Sequence, residues 1–323
     1  MAAHVTVVIP THNRAGLLRR ALQSLLDQTY SDWECVIVDD ASTEDIGAAV
    51  AAIAPGDPRM RVVRLEEQRG ATIARATGCD LARGSYIALL DSDDWWHPRK
   101  LERQMPAMGP PGADHHLCPV LSLHAIEVVS AAGTDYVDHV HPRENFLRDI
   151  LRDNFAAHGS FLMRRDAYHA IGGYDRRLPL SEDWDLLIRM ILRYGEERIA
   201  PLPEVLSYWW VHDQNISADG TGIVRSQRMI VRRTVLNRGL LFRHPCLALE
   251  MIDRQLDREM HAMAGRRPML ACATAALSAL SRPYRLWRWQ RALQFARRAA
   301  SARTSQPIER VHPPARSTRT VTE

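Results

Sequence analysis

The segment that decides the fold is Tyr-Ile-Ala-Leu-Leu-Asp-Ser-Asp-Asp, residues 86–94. Its apolar half, residues 86–90, has the composition of a buried strand and is followed at once by three carboxylates within residues 91–94. Carboxylates this close repel one another unless a cation or hydrogen-bond donors compensate. Ligands of open α/β sheets bind beyond the carboxyl ends of strands, and Mg²⁺ takes carboxylate and phosphate oxygens. The segment therefore predicts a metal–diphosphate site, although read alone it also fits a solvated acidic turn that caps a helix.

The residues around this segment alternate between strand and helix patterns. Short β-branched runs predict strands at 5–9, 35–38 and 61–65, and apolar residues at helical spacing predict helices over 14–27 and 71–83. Strands that alternate with helices in this way form parallel sheets. We therefore predict an α/β fold with a Rossmann-like, doubly wound, mostly parallel sheet and helices on both of its faces.

The pattern is less regular after residue 96. A hairpin is predicted within residues 127–140, helices over 143–154 and 181–194, and strands at 160–163 and 205–211. These elements extend the α/β domain without repeating any earlier segment.

The composition excludes several classes of protein. Hydrophobic residues make up 46% and charged residues 25% of the 323 residues, which is typical of a soluble protein. The five cysteines are scattered and form no Cys-x-x-Cys pair, so neither a disulfide framework nor a zinc site is expected. The longest apolar stretch, residues 269–280, is shorter than the roughly 20 residues of a membrane span. We therefore expect a cytoplasmic protein.

Acidic residues end two predicted strands, at Asp39-Asp40 and within residues 91–94. Because parallel strands end at one edge of a sheet, these residues should line a single crevice. Thr11 and Arg75 fall near the same edge, and Glu182-Asp183 begin a later helix. An acidic crevice that also holds a metal ion and an arginine suits a nucleoside diphosphate.

Five segments resemble, in order and spacing, the inverting family 2 glycosyltransferases of the GT-A fold. They are residues 5–14 (Val-Thr-Val-Val-Ile-Pro-Thr-His-Asn-Arg), 36–43 (Val-Ile-Val-Asp-Asp-Ala-Ser-Thr), 74–76 (Ala-Arg-Ala), 90–94 (Leu-Asp-Ser-Asp-Asp) and the pair Gly-Gly-Tyr-Asp and Ser-Glu-Asp-Trp-Asp-Leu within 172–186. The resemblance covers residues 4 to about 217. It implies transfer of a hexosyl or N-acetylhexosaminyl group, with inversion, from a nucleoside-diphosphate sugar to a hydroxyl of a glycan, a glycolipid or another small acceptor. The chain lacks the Gln-x-x-Arg-Trp motif of the processive branch, which favours single additions.

The resemblance also implies roles for particular residues. The residues implied to bind the donor are Thr11, Asp39, Asp40, Arg75, Asp91 and Ser92. A carboxylate at Asp39 would suit the imide N–H of uracil, so a UDP-linked donor is expected. Asp93 would ligate Mg²⁺ or Mn²⁺, together with Asp91 and His212, although a lone histidine is more often structural.

On the acceptor side, Asp183 matches the general base of the family. Such a base takes the proton of the acceptor hydroxyl, and a place in the first turn of a helix favours its ionised form. Glu182 would support it, and Trp184 would lie beside the acceptor. Without the resemblance, Asp183 would read as an ordinary N-terminal helix charge.

The charge distribution predicts the domain organisation. Residues 223–323 carry 20 arginines against six acidic residues, whereas residues 1–222 carry 22 basic against 32 acidic residues. We predict a catalytic domain over 1–222, a basic helical appendage over 223–301 and a disordered tail over 302–323. The appendage suits peripheral contact with an anionic membrane, or simple packing on the catalytic domain, and the acidic body disfavours nucleic acid.

Two other functions stay open. A nucleotide-sugar-binding protein without transferase activity could keep the same fold, but it would not need both Asp93 and Asp183. A nucleotidyltransferase usually has a glycine-rich loop with a lysine near the first strand, and residues 10–15 have neither. A dinucleotide oxidoreductase is disfavoured by the lack of a Gly-x-Gly-x-x-Gly motif.

Overall fold

The computed structural model describes residues 4–109, 117–138, 145–212, 215 and 220–264. The chain divides into two compact units, Met1–Ile252 and Asp253–Glu323. The described part of the second unit is the end of one helix, and residues 265–323, which include the predicted tail, lie outside the described residues. Within the described part of the chain, no helix combines the length and the hydropathy that crossing a membrane requires.

Nine strands of the described residues form one sheet. Strands β1 to β9 span Val5–Thr11, Trp33–Asp39, Met60–Arg64, Tyr86–Leu89, Trp95–Trp96, Leu121–Ser130, Gly133–Asp138, Leu162–Arg164 and Ile199–Trp210. Their order is β3-β2-β1-β4-β8-β6-β9-β5, and β7 pairs with β6. Strands β1 to β4 are mutually parallel, β8 runs antiparallel to β4 and β6, and β9 runs parallel to β6. The predicted parallel sheet is therefore present, extended by a mixed half.

Helices cover both faces of this sheet. Helices α1 to α10 span Ala15–Leu26, Ile46–Ile53, Ala71–Asp80, Lys100–Ala107, Phe146–Arg152, Arg165–Ala170, Glu182–Tyr194, Gly220–Arg232, Leu240–Arg243 and Pro245–Ala264. Alternate side chains of β1 point to opposite faces, as a strand requires. Val8 packs in one buried cluster with Cys79 of α3, and Ile9 packs in another with Leu22 of α1. The predicted fold class is confirmed.

The sequence patterns missed or displaced some elements. Helix α2 was not predicted; it begins after Asp45, whose Oδ1 accepts the N–H of Ala48 at 2.8 Å. Helix α3 ends at Asp80 rather than at residue 83. Gly84, expected to close that helix, serves a different purpose, because a Cβ atom there would lie 2.7 Å from the backbone nitrogen of Thr6. The glycine permits the turn before β4 to approach β1.

The first residues of the predicted basic appendage pack within the first unit. Ile230, Val235 and Leu240 are buried and belong to the same apolar cluster as Leu187 of α7. Residues 220–252 therefore contribute to the core of this unit. The division at residue 222 stays a prediction.

Candidate active site

The carboxyl ends of β1 and β2 meet at the predicted edge, where Thr11 is in register with Asp39. Asp39 is buried, its Oδ2 pairs with Arg64 at 2.6 Å, and its Oδ1 accepts the N–H of Ser42 at 2.9 Å. The hydroxyl of Thr11 is buried and has no hydrogen-bond partner among the described residues. Buried polar atoms are normally paired, so an orphaned hydroxyl at a strand end indicates a place that a ligand completes.

Asp40 holds the approach to helix α3. Its two carboxylate oxygens accept the backbone N–H groups of Arg69 and Gly70 at 2.7 and 2.8 Å. The Nδ1 atom of His12 lies 2.7 Å from the backbone oxygen of Asp40. Asp40 thus fixes the backbone around the crevice, and its predicted contact with a donor stays a prediction.

Three non-glycine residues in the described part of the chain have positive φ: Asn13 at 51°, Ala41 at 56° and Ser181 at 59°. Each lies within two residues of a predicted site residue. Such backbone conformations cost free energy and cluster at functional sites. The positions of these three residues therefore support the predicted location of the active site.

Arg75 joins the end of β4 to the start of α7. Its Nη2 and Nε atoms donate to Oδ1 of Asp91 at 2.6 and 3.2 Å, and its Nη1 donates to Oε1 of Glu182. Burial alone would lower the pKa of Arg75, but the two carboxylates outweigh it and the pKa lies above its ordinary value. For Asp91 the two effects have the opposite signs. Burial by itself would raise the pKa of Asp91, but the charge of Arg75 outweighs burial, so the pKa falls below its usual range. Arg75 is a fixed, buried cation.

Asp93 is the carboxylate nearest to other candidate ligands. Its Oδ2 accepts from Nη1 of Arg14 at 2.5 Å and lies 3.1 Å from Nε2 of His212. Of the three predicted metal ligands, Asp93 and His212 therefore meet, whereas Asp91 pairs with Arg75. Within the described ranges, no group of three His, Cys, Asp or Glu side chains could hold a metal ion by itself.

The residues present fit a cation that shares its ligands with a substrate. Mg²⁺ usually keeps several waters and takes one or two carboxylates together with substrate phosphates. Asp93, with His212 against it, provides such a partial set. The carboxylate of Asp91 pairs instead with Arg75, and its predicted role as a metal ligand stays a prediction.

Asp94, the last residue of the acidic segment, has a structural role. The Oδ1 atom of Asp94 accepts the N–H of Trp210 at 2.9 Å, which ties the acidic segment to β9. Burial raises the pKa of Asp94 well above its ordinary value, and the charges of Asp93 and Asp91 add to the rise. Ser92 is buried, and its predicted contact with the donor stays a prediction.

Asp183 lies in the first turn of α7 with 13% of its side chain exposed. Burial raises the pKa of Asp183 to about 7, and the charge of Glu182 adds to the rise, whereas hydrogen bonds from the Trp184 N–H and the Asn154 side chain lower it. The helix N-terminus was expected to favour the ionised form, but burial outweighs it. A carboxylate with this pKa is suited to taking up a proton near neutral pH.

His158 lies between the two carboxylates of this centre. Its Nδ1 is 3.9 Å from Oδ2 of Asp183, and its Nε2 is 3.8 Å from Oε1 of Glu182. Burial and the charge of Arg75 hold the pKa of His158 well below its usual range, so the imidazole is neutral. Its Nε2 is buried without a hydrogen-bond partner among the described residues.

The side chain of Trp184, which was predicted to lie beside the acceptor, packs in the core, and its contact with an acceptor stays a prediction. Its side chain is completely buried in the apolar cluster, and its indole N–H donates to the backbone oxygen of Ile150 at 2.5 Å. On an amphipathic helix, Trp184 falls on the side that faces the core. The side chain of Asp183, one residue earlier, is 13% exposed to solvent.

Sequence reasoning missed two residues of the site. Arg14 belongs to the first of the five segments, residues 5–14, and comes three residues after the end of β1. This position could have suggested a role at the same strand end as Thr11. His158 occurs in a short 3₁₀ turn, His158–Ser160, and no motif marks it. Only the folded chain brings it to the carboxylates.

Comparisons with known proteins identify the family of the chain. The sequence model described as Glycosyl transferase family 2 matches residues 6–172, more than half of the chain. The protein TuaG of Bacillus subtilis, named for teichuronic acid biosynthesis, is 40% identical over 104 residues, which are 32% of this chain and 41% of TuaG. The chain thus matches less than half the length of that relative.

Two solved structures share the fold. The S. aureus protein TarS, residues 1–349 in complex with UDP-GlcNAc, superposes with a TM-score of 0.60 at 17% identity, covering 94% of this chain and 93% of TarS. The mannosyltransferase PcManGT from Pyrobaculum calidifontis, in complex with GDP-Man and Mn²⁺, gives a TM-score of 0.53 at 20% identity, covering 94% and 88%. At these identities the likeness concerns the fold alone, and it confirms the expected GT-A architecture.

Proposed function

Because the chain belongs to glycosyl transferase family 2, we propose that it transfers a sugar from a nucleoside-diphosphate donor to a hydroxyl group during the synthesis of a cell-envelope polysaccharide. One observation carries the proposal. The buried cation Arg75 joins Asp91, at the end of β4, to Glu182, the neighbour of Asp183. A positive charge suited to a diphosphate therefore lies beside a carboxyl group whose pKa is about 7.

The reaction that this arrangement supports is a direct displacement with inversion. The acceptor oxygen bonds to the anomeric carbon while the bond from that carbon to the diphosphate oxygen breaks. The proton of the acceptor hydroxyl passes to the carboxylate of Asp183, and the nucleoside diphosphate departs. The guanidinium groups of Arg75 and Arg14 stabilise the negative charge that develops on the leaving group.

The proposed reaction also has a place for a divalent cation. Asp93 and His212 would hold it, and the bound ion would neutralise the departing diphosphate. The presence of Mn²⁺ in the PcManGT complex supports Mg²⁺ or Mn²⁺ as the cofactor. We expect UDP as the nucleotide, because a carboxylate at Asp39 would suit the imide N–H of uracil, the adjacent hydroxyl of Thr11 has no partner among the described residues, and TarS forms a complex with UDP-GlcNAc. A guanosine-linked donor, as in the PcManGT complex, is the alternative.

A panel of nucleotide sugars tests this function. The full chain is incubated with UDP-, GDP- and dTDP-linked hexoses and N-acetylhexosamines in Mn²⁺, and release of the nucleoside diphosphate is followed over time. We expect release from a UDP-sugar, slow with water and faster with the correct acceptor. Binding without release from any donor would instead establish a nucleotide-sugar-binding protein.

We also propose peripheral contact with an anionic membrane surface at the cytoplasmic side. Residues 223–323 are strongly basic, and the apolar side chains of Leu236, Phe242 and Leu249 are 56%, 85% and 51% exposed. Each cation near an anionic surface contributes about 1 kcal/mol. The full chain should cosediment with phosphatidylserine-containing vesicles at low salt, and Phe242→Ser should weaken this. A chain that stays in the supernatant would contradict the contact.

A further inference from the structure

A cleft of about 360 Å³ opens beside the N-terminus of α3. Its walls come from the segment before α3, from the loop before α7 and from α8. The lining residues are Arg69, Gly70, Thr72, Ile73, Arg176, Arg177, Leu178, Pro179, Arg225 and Met229. Four of these ten residues are arginines and none is acidic, so the cleft is cationic.

The charges of these arginines are only partly compensated. Arg225 is exposed and makes no ion pair with any described residue. Arg69 lies 3.9 Å from Glu67, Arg176 pairs with Asp80, and Arg177 pairs with Asp175 at 2.9 Å. Asp175 is moreover shared with an arginine outside the cleft, Arg233. The positive charge that remains at the cleft is therefore that of Arg225, together with the part of Arg177 that the shared Asp175 does not neutralise.

Helix α3 begins at this cleft. It is ten residues long, it begins after Gly70, and it has no acidic residue in its first turn and no side-chain cap. The N-terminus of a helix carries a partial positive charge and favours anions. Because the carboxylate of Asp40 already accepts the N–H groups of Arg69 and Gly70, the charge of the cavity comes mainly from its arginines, which belong to three separate parts of the chain.

The cleft is connected to the reaction centre through both of its walls. The hydroxyl of Thr72 lies 3.5 Å from the backbone oxygen of Pro179, which it can reach as a donor. Thr72 precedes Arg75 by one helical turn, and Pro179 precedes Asp183 by four residues. The cleft is therefore lined by residues of the same two segments that carry Arg75 and Asp183.

We propose, on the basis of the proposed transferase function, that this cleft binds a phosphate group of the acceptor. Guanidinium groups match the oxygens of phosphate in a bidentate manner, and several converging on one cavity select phosphate over neutral sugar hydroxyls. The acceptor is then a phosphate-bearing molecule, either a soluble sugar phosphate or a lipid-linked one. A neutral glycan would leave the arginines without a ligand.

The test is a calorimetric titration of the full chain with inorganic diphosphate, in metal-free buffer at low salt. The double variant Arg176→Gln/Arg225→Gln removes two exposed charges of the cleft. The matched control, Arg19→Gln/Arg243→Gln, removes two exposed charges that do not line it. We expect binding at least about tenfold weaker in the cleft variant and within about twofold of wild type in the control. Equal losses in both variants, or no loss in the cleft variant, would overturn the proposal.

Competition then identifies the source of the phosphate. Bound diphosphate is challenged with a soluble hexose 1-phosphate, with phosphatidylcholine vesicles that carry a polyprenyl phosphate, and with glucuronate. Displacement by either phosphate compound supports the proposal, whereas displacement by neither, or more strongly by glucuronate, contradicts it. Failure of the transferase function would appear separately, as no release of nucleoside diphosphate from any donor, and would leave these titrations unchanged.

Discussion

Arg75 and Glu182, which are 107 positions apart in the sequence, form a buried ion pair that joins α3 to the first turn of α7. Because Arg75 also pairs with Asp91, one guanidinium group connects the acidic end of β4 to the carboxylates of α7. A buried pair of this kind is costly to break, since the partner left behind is an uncompensated buried charge. The connection therefore has consequences for stability as well as for activity.

Replacing Arg75 should destabilise the fold. We expect Arg75→Gln to lower the free energy of unfolding by about 3–5 kcal/mol, because Asp91 and Glu182 lose their shared cation. Urea denaturation followed by circular dichroism measures this. Arg99→Gln, which removes an exposed i,i+3 pair with Glu102, serves as the control and should leave stability almost unchanged. A similar small effect for Arg75→Gln would argue against the buried network.

The transfer rate should depend on an ionised Asp183. With a pKa of about 7, the rate is expected to rise with pH through neutrality and then level off. Asp183→Asn should lower kcat by about 10²–10⁴-fold, the usual contribution of a general base. Steady-state rates between pH 5 and 9 measure both effects. If Asp183→Asn retained more than about a tenth of the wild-type rate, another group would be the base.

The same carboxyl group should cost the protein stability at alkaline pH. The pKa of Asp183 is raised on folding, so its contribution to stability is full below the ordinary value of 3.8 and is lost as pH rises to about 7. Asn cannot ionise. We therefore expect Asp183→Asn to be more stable than wild type at pH 8, by roughly 1–3 kcal/mol, and to differ less at pH 5. Urea unfolding of wild type and Asp183→Asn at pH 5 and pH 8 measures this difference in stability. A difference of the same size at both pH values would contradict the raised pKa of Asp183.

His158 should keep the pKa of Asp183 high by excluding water from its carboxyl group. Burial is the main cause of the raised pKa of Asp183, and His158 is a neutral neighbour within 3.9 Å. His158→Ala should admit water and move the midpoint of the kcat/KM profile toward acid pH by about one unit. His169→Ala, at an exposed histidine, is the matched control. An unchanged midpoint in His158→Ala would reduce His158 to a packing residue.

Local patterns were sufficient to predict the parallel half of the sheet and its acidic edge. Residues 5–11 and 33–39 consist mostly of β-branched and apolar residues, and each segment ends at a polar residue. The structure confirms that both are strands and that nearly all of their side chains are buried. Parallel pairing then places Thr11 beside Asp39 without further information. The strand patterns were therefore sufficient to bring these two predicted site residues to one edge of the sheet.

The partners of each charge could not be predicted, because they depend on tertiary distances. The pairing of Arg14 with Asp93 spans 79 positions, and that of His212 with Asp93 spans 119. Neither the rotation of α7, which buries Trp184, nor the desolvation that raises the pKa of Asp183 leaves a trace in residue spacing. The motifs proposed which residues belong to the site, whereas their ion pairs and pKa values depend on packing.

The most direct test of the proposed function is a calorimetric titration of UDP into wild type, Asp93→Ala and Asp183→Asn, with Mn²⁺ and with excess chelator. We predict saturable binding to wild type that chelator weakens at least about tenfold, the same loss in Asp93→Ala, and nearly unchanged binding in Asp183→Asn. The reason is that Asp93 lies where the metal and diphosphate would bind, whereas Asp183 would act on the acceptor. UDP binding that is equally strong in all three proteins and in chelator, or absent from wild type, would contradict the assignment of a metal-dependent nucleotide-sugar site.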